Sequence, residues 1–127
     1  MRSTKPSAGP DGVREPSLSL RINLHPSGRL GPGKIELLEH IATFGSISAG
    51  ARRMNMSYKR AWDLVEEMNR LFGQPVVSAQ TGGRHGGGAQ LTPTGLAVVG
   101  RFRAIERAAE AAAAAHIAAL QAEIKSS

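Results

Sequence analysis

The spacing of apolar residues changes several times along the chain, and each change predicts a new structural element. Residues 17–24, SLSLRINL, alternate apolar and polar side chains, and this period of two predicts a half-buried strand. Residues 25–33, HPSGRLGPG, have the composition of a turn, with Pro32 placed to open a helix. The next segment, KIELLEHIATF, has helical spacing, and Gly45 is expected to end it. The predicted inner face of this helix consists of Ile35, Leu38, Ile41 and Ala42.

Residues 46–69, SISAGARRMNMSYKRAWDLVEEMN, predict two helices separated by a very short break at 55–56. Ser46 and Ser57 are good N-caps, since a serine oxygen can accept a hydrogen bond from a free amide of the first turn. The second of these helices is expected to run to Phe72 and to stop at the glycine that follows. The inner faces are predicted as Ile47, Ala51 and Met54 for the first helix, and Ala61, Leu64 or Val65, Met68 and Phe72 for the second.

A hairpin and a long helix complete the predicted order. Residues 75–81, PVVSAQT, and 89–92, AQLT, read as strands on either side of a glycine-rich tip, GGRHGGG, at 82–88. A helix then starts at Thr92-Pro93 and runs to about Ile124, a length of about 45 Å at 1.5 Å per residue.

This order predicts a mainly α fold with a small β component. We expect a winged helix-turn-helix with an N-terminal strand and a long C-terminal dimerisation helix. Residues 1–16 hold three prolines and two glycines without periodicity, which predicts a disordered arm. The winged helix-turn-helix is expected over residues 17–93, and the dimerisation helix over residues 94–124.

The charge distribution narrows the choice of partner. The chain carries 16 Lys and Arg against 10 Asp and Glu, a formal net charge of +6, which suits nucleic acid or an acidic membrane surface. No acid occurs between Glu39 and Asp63, whereas four cations fall in that interval. The absence of cysteine excludes disulfides and thiolate metal sites, and fits a reducing compartment better.

Neither a membrane segment nor a secretory signal is expected. The first sixteen residues lack an apolar run, and the alanine-rich tract at 111–120 is too short and too weakly apolar to span a bilayer. We therefore expect a cytoplasmic protein that does not bind membranes.

Two tightly joined helices, the second opening with polar and basic side chains, are typical of a helix-turn-helix that binds double-stranded DNA. The second helix would enter the major groove, with Tyr58, Lys59 and Arg60 at base edges and Ser57 at a phosphate. The glycine-rich hairpin fits a wing, whose arginine would approach the backbone or the minor groove. The candidate DNA contacts are Ser46, Arg52, Arg53, Ser57, Tyr58, Lys59, Arg60, Trp62, Arg84 and His85.

Alternatives exist for several of these residues. The start of the second helix could be no more than a capped, solvated helix terminus. One of Arg52 and Arg53 is expected to face solvent or pair with an acid. Trp62 is expected to pack in the core, with contact to a DNA sugar as the alternative.

The long helix carries an apolar stripe whose spacing is close to a heptad, which favours a partner helix. A single helix of this length would leave Phe102 and Ile105 poorly covered, so we expect a homodimer. Good helix propensity of alanine is the alternative reason for the stripe. The candidate dimerisation residues are Val98, Phe102, Ile105, Ala109, Ala112 and His116.

Catalysis, cofactors and metals are not expected. The GGRHGGG tract lacks the Gly-Lys-Ser/Thr ending of a phosphate-binding loop, and a strand rather than a helix follows it. The four histidines show no ligand spacing, and no nucleophile–base arrangement is visible.

The motifs GSISAGARRMNMSYKRAWDLVEEMN and TGGRHGGGAQLTPTG resemble the N-terminal DNA-binding domain of the ModE family of molybdate-dependent transcriptional regulators. The resemblance covers roughly residues 17–110, and the chain is more distantly similar to LysR-type DNA-binding domains. It implies operator binding and dimerisation, with target genes in molybdate uptake or molybdenum enzymes. Full-length family members continue into molybdate-binding domains, for which this sequence has no residues, so no oxyanion sensor is implied.

Two rival functions remain open at this point. One is a winged helix that binds proteins instead of DNA, against which the cationic interval speaks. The other is an accessory subunit that forms a heterodimer with a full-length regulator through the long helix.

Overall fold

A computed structural model describes residues 15–26, 28–80 and 88–124. The predicted mainly α winged-helix fold with a small β component and a long C-terminal helix is confirmed. The β component consists of two small antiparallel sheets of two strands each. The elements in chain order are β1 (Ile22–Leu24), β2 (Gly28–Leu30), α1 (Pro32–Phe44), α2 (Ile47–Arg53), α3 (Tyr58–Phe72), β3 (Val77–Gln80), β4 (Gly88–Leu91) and α4 (Pro93–Ala122).

The chain forms two compact units. Residues Leu20–Ile105 form the winged-helix unit, which contains the first part of α4. The described part of the second unit consists of residues 15–19 and the chain from Glu106 to Ile124. The predicted arm at 1–16 lies outside the described residues, except for its last two.

The first strand is shorter than predicted, although its alternation is correct. Leu20, Ile22 and Leu24 are half-buried and Arg21 is exposed, but β1 begins only at Ile22. The prediction of a turn throughout 25–33 was wrong, because β2 lies within this segment and pairs antiparallel with β1. Because β2 has only three residues, the sequence shows no alternation there that could have predicted a strand. Its pairing with β1 is what identifies it as a strand.

Helix α1 begins at Pro32 and ends at Phe44, immediately before Gly45, as predicted. Gly45 adopts a left-handed conformation with φ 78°, and its amide donates to the Ile41 carbonyl at 2.8 Å. The prediction of Ala42 as an inner residue was wrong, since Ala42 is exposed, and the completely buried Leu37 was missed. Leu37 is buried because α2 packs closely against α1. A Cβ added at Gly50 would lie 3.5 Å from Leu37 Cδ1 and 2.8 Å from Ile41 Cγ1.

The turn between α2 and α3 is a Schellman motif. The Met56 amide donates to the Ala51 carbonyl at 3.0 Å, and the Asn55 amide donates to the Arg52 carbonyl at 3.1 Å. Asn55 takes the left-handed position with φ 58°, which asparagine tolerates better than most residues. Ser57 Oγ then accepts from the Arg60 amide at 3.0 Å and caps α3. The break and the cap therefore lie where the sequence predicts them.

The wing is anchored through a set of hydrogen bonds that we call the wing base, formed by Asn69, Pro75, Val76 and Thr92. Asn69 Oδ1 accepts from the Val76 amide at 2.8 Å, and the Thr92 amide donates to the Val76 carbonyl at 3.0 Å. Thr92 Oγ1 donates to the Pro75 carbonyl at 2.7 Å and accepts from the Gly95 amide at 3.0 Å. These bonds tie the hairpin to the end of α3 and to the start of α4.

The core contains two residues that we predicted for dimerisation. Phe102 is 1% exposed and Val98 is 8% exposed, and both belong to the buried cluster shared by α1, α2 and α3. The expectation that Phe102 would be poorly covered was wrong, because α4 packs on the winged helix over this stretch. Arg103 reinforces this packing with two hydrogen bonds to the Glu39 carboxylate on α1, at 2.9 and 2.6 Å.

Candidate nucleic-acid interface

The start of α3 is a solvent-exposed polar surface. Tyr58 is 55% exposed, and Lys59 and Arg60 are exposed beside it. The inner face of the helix follows the predicted spacing, since Ala61, Leu64, Val65 and Met68 are all buried. The first turn of α3 contains no acid, so its free amides and its dipole favour an approaching anion.

Lys59 is already paired in the unbound protein. Its Nζ lies 3.1 Å from Asp63 Oδ2, one helical turn further on, and both side chains are at least half exposed. Exposed pairs of this kind contribute roughly 0–1 kcal/mol, so a phosphate or a base can displace the carboxylate at little cost. Asp63 was not predicted from the sequence as a partner of Lys59. The spacing of four residues between them is the signal that could have identified the pair.

Trp62 is not in the core, contrary to our expectation. Its side chain remains 37% exposed, and it follows Tyr58 by one helical turn. The single Tyr and the single Trp of the sequence therefore lie on the same exposed side of α3. Each can donate a hydrogen bond while its ring covers an apolar surface such as a sugar.

The two arginines at the end of α2 are exposed and differ in their surroundings. The Arg53 guanidinium lies 5.1 Å from the centre of the Phe44 ring, and the Phe44 ring stacks on His40 at 6.1 Å. This cation–π contact restrains Arg53 and leaves its hydrogen-bond donors available. Arg52 lies in the same last helical turn.

Ser46 caps α2 by accepting from the Ala49 amide at 3.0 Å. The wing strand β4 approaches this corner, since the Ala89 amide donates to the Gly45 carbonyl at 2.8 Å. The predicted wing contacts Arg84 and His85 lie outside the described residues.

Arg60 lies about 100° around α3 from Lys59. It lines a cleft together with Arg21, Arg29 and Lys34, which come from the β1–β2 hairpin and from the start of α1. Sequence analysis assigned no function to these three cations, because they lie 26 to 39 positions before Arg60 and only the fold brings them together. Asn69 was also missed, since its partner at the wing base is visible only in the folded chain.

Other kinds of site receive no support in the described part of the chain. No group of three or more His, Cys, Asp or Glu side chains within residues 15–26, 28–80 and 88–124 is placed to hold a metal ion. In the same ranges, no helix combines the length and the apolar character needed to cross a membrane.

These features define a winged helix-turn-helix, the class of fold in which an exposed helix and a hairpin flank one surface. Comparison with known families places residues 33–96 in the bacterial regulatory helix-turn-helix proteins of the lysR family. This match spans half of the chain, and the protein belongs to that family.

Several curated proteins are similar over the same region. The chain is 43% identical over 106 residues to the molybdenum-pterin-binding protein MopB of Rhodobacter capsulatus, covering 84% of this chain and 38% of MopB. It is 46% identical over 77 residues to the molybdenum transport protein ModE of Azotobacter vinelandii, covering 61% of this chain and 28% of that protein.

The chain is also 50% identical over 68 residues to the DNA-binding transcriptional dual regulator ModE of Escherichia coli K12. These residues represent 54% of this chain and 26% of that regulator. The matched part of the chain therefore spans between about a quarter and two fifths of the length of these curated relatives. The resemblance to a ModE-type DNA-binding domain is confirmed by these matches.

Proposed function

We propose that this chain binds double-stranded DNA in the bacterial cytoplasm as the DNA-binding part of a ModE-type transcription regulator. The observation that carries the proposal is the exposed start of α3, where Tyr58, Lys59 and Trp62 are presented on a serine-capped helix without an acid in its first turn. A helix with its side chains is about 10–12 Å wide, which matches the width of the major groove.

The proposed roles follow from the position of each side chain. Tyr58, Lys59 and Arg60 read base edges, and Trp62 covers a sugar beside them. Ser57 donates its hydroxyl hydrogen to a phosphate, because its oxygen already accepts from the Arg60 amide. The remaining candidates hold the DNA backbone: Ser46, Arg52 and Arg53 at α2, and Arg84 and His85 on the wing.

The proposal is tested by fluorescence anisotropy on duplex DNA from the region upstream of the gene. We expect the logarithm of affinity to fall linearly with the logarithm of salt concentration, because cationic side chains displace counterions from the phosphates. Protection of this region in footprinting at low ionic strength should accompany the binding. A flat salt titration together with an unprotected footprint would overturn the proposal.

Lys59 and Asp63 provide a sharper test within the same helix. Lys59→Ala should weaken operator binding by about 1–3 kcal/mol if the ammonium group reads a base. Asp63→Asn should strengthen binding, because it removes the intramolecular competitor for that ammonium group. Arg101→Ala is the control, since Arg101 lies on α4 and lines a groove with Phe72 at the opposite end of α3. Unchanged affinity in the Lys59 variant would place base reading elsewhere.

We further propose that the target genes serve molybdate uptake or molybdenum enzymes. Two similar proteins are named as a molybdenum-pterin-binding protein and a molybdenum transport protein, which supports this step. Selection of bound fragments from sheared genomic DNA of the source organism tests it. Enrichment upstream of molybdate transporter or molybdoenzyme genes is expected, and enrichment that is unrelated to molybdenum would contradict the gene assignment.

We also propose that α4 pairs two copies of the chain. The exposed candidates on this helix are Ile105, at 44% exposure, with Ala112 and His116, whereas Ala109 is half-buried. Val98 and Phe102 are excluded from the seam because they pack in the core. Leu120, at 69% exposure, extends the candidate surface.

Truncation after Glu110 tests this pairing without removing Phe102 or Arg103. Sedimentation of the intact chain should give twice the chain mass, and the truncated chain should sediment as a monomer. A dimer that survives the truncation would show that the end of α4 is not the seam. An intact chain that is monomeric alone but associates with a full-length ModE-type regulator would favour the heterodimer.

A further inference from the structure

A cleft of about 330 Å³ lies beside the start of α3, and four cations line it. We call it the basic cleft and define it by Arg21 before β1, Arg29 on β2, Lys34 on α1 and Arg60 on α3. None of the described residues that line the cleft is acidic. Four positive groups around one opening repel one another, so the cleft favours an anion.

One of the four charges is compensated within the protein. Lys34 Nζ lies 3.1 Å from the Glu67 carboxylate and donates to the Arg29 carbonyl at 2.8 Å. The side chains of Arg21, Arg29 and Arg60 are exposed and form no ion pair with an acid among the described residues. Three guanidinium groups therefore remain available, and guanidinium matches the geometry of phosphate oxygens.

Arg21 is held at the cleft by a close approach to the backbone. A Cβ added at Gly31 would lie 3.0 Å from Arg21 Cγ and 3.6 Å from its Nε. The aliphatic part of Arg21 thus lies over Gly31 at the beginning of α1. This packing limits the positions of the guanidinium and lowers the entropy lost when it binds an anion.

The location of the cleft relative to α3 identifies the anion. The wing lies on the side of α3 that carries Asn69, because Asn69 accepts a hydrogen bond from the Val76 amide at the wing base. Arg60 lies nine residues earlier, and at about 100° per residue this separation places it about 180° around the helix. The cleft and the wing therefore flank α3 on opposite sides. A helix in the major groove has one phosphate backbone on each side, so the cleft meets the strand that the wing does not.

We propose that Arg21, Arg29 and Arg60 form a phosphate clamp that holds the DNA backbone on the side of α3 opposite the wing. This proposal rests on the proposed DNA binding and changes the role of Arg60 from reading a base to holding a phosphate. A phosphate clamp contributes affinity without sequence preference, and its loss weakens binding to all duplexes alike.

The test measures binding of the full chain to an operator duplex and to a scrambled duplex across a range of salt concentrations. The variants are Arg21→Gln, Arg29→Gln and the double variant, because glutamine keeps the aliphatic stem that lies over Gly31. Arg101→Gln is the matched control for loss of one positive charge. We expect each cleft variant to lose roughly 3–10-fold affinity on both duplexes and to reduce the salt slope by about 1.

Duplexes in which one phosphate is replaced by an uncharged analogue identify the phosphate that each arginine contacts. Duplexes with a single methylphosphonate should weaken wild-type binding at one or two positions that flank the contacted bases. At those positions, the variant that has lost the contacting arginine should be insensitive to the substitution. Coupling of this kind does not arise if the arginines only support the fold, which unfolding curves of each variant check separately.

The possible outcomes separate the clamp from the function on which it rests. If the wild type does not bind duplex DNA at low salt, both proposals are overturned. If the wild type binds and the double variant has the same affinity and salt slope as the control, only the clamp is overturned. A loss that is confined to the operator duplex would assign these arginines to base reading, and would also overturn the clamp.

Discussion

The turn between α2 and α3 and the wing base are two junctions of similar size that are held together differently. At the turn, the hydrogen bonds join residues that lie within five positions of each other in the sequence. Asn55 and Ser57 take part in these bonds. At the wing base, Asn69 and Thr92 bond to Val76 or Pro75 across separations of 7 to 17 positions. The first junction orients α3, whereas the second orients the wing relative to it.

A junction that is held by local bonds therefore tolerates substitutions that a junction held by long-range bonds does not. A turn whose partners are adjacent in sequence can adjust over a few bonds. The wing base connects α3, the hairpin and α4, partly through the backbone of the buried residue Val76, so a defect there leaves a polar group without a partner or separates packed elements. We therefore expect substitutions at the wing base to cost more stability than those at the turn.

The largest effect is expected at Gly95, in the first turn of α4. An added Cβ would overlap the Val76 carbonyl oxygen, which is backbone and cannot rotate away. Gly95→Ala should lower the free energy of unfolding by about 3 kcal/mol, the upper part of the range for overpacking. Chemical denaturation measures this loss.

Gly100→Ala on the same helix is the control, because nothing lies within 4 Å of the Cβ it would add. It should stabilise the protein by about 0.5–1 kcal/mol through helix propensity. Equal stability of the two variants would contradict the close packing of α4 on Val76.

The second effect is expected at Asn69. Asn69→Ala removes the acceptor for the amide of Val76, a fully buried residue, and should cost about 2 kcal/mol. Asn69→Asp retains an oxygen at the same place and should cost less. Denaturation midpoints of the two variants provide the comparison, and a larger loss for the aspartate would show that the amide group acts in another way.

Ser57 should show a smaller loss of stability with a separate effect on DNA. Ser57→Ala removes the cap of α3 and should cost about 1 kcal/mol. Ser57→Asp keeps the capping oxygen and should preserve the stability, but its negative charge at the proposed phosphate contact should weaken DNA binding. Thermal unfolding and anisotropy on the same samples separate the two roles. An aspartate variant that binds DNA as tightly as the wild type would remove Ser57 from the interface.

The smallest effect is expected at Asn55. Asn55→Ala places a residue with poor tolerance of positive φ at φ 58° and should cost about 0.5–1 kcal/mol. Asn55→Gly loses the same side chain without this penalty and should have nearly the stability of the wild type. Thermal unfolding compares the two, and an alanine variant as stable as the glycine variant would argue against the left-handed turn.

Several features with a local signal could be predicted from the sequence alone. Helix boundaries at Pro32, Gly45, Ser46 and Ser57 follow from capping and from glycine at the ends, and the inner face of α3 follows from its period. The exposed start of α3 was also predicted, because its signal is local in the sequence. These features depend on residues within one or two helical turns of each other.

Features that depend on distant partners could be seen only in the folded chain. Phe102 is buried because α4 packs on the winged helix, whereas Trp62 stays exposed because it lies outside the buried face of α3. The basic cleft and the wing base join residues that are separated by up to 39 positions, and no period or motif encodes such neighbours. Burial and long-range pairing depend on the surface that another element presents, and that surface exists only once the chain has folded.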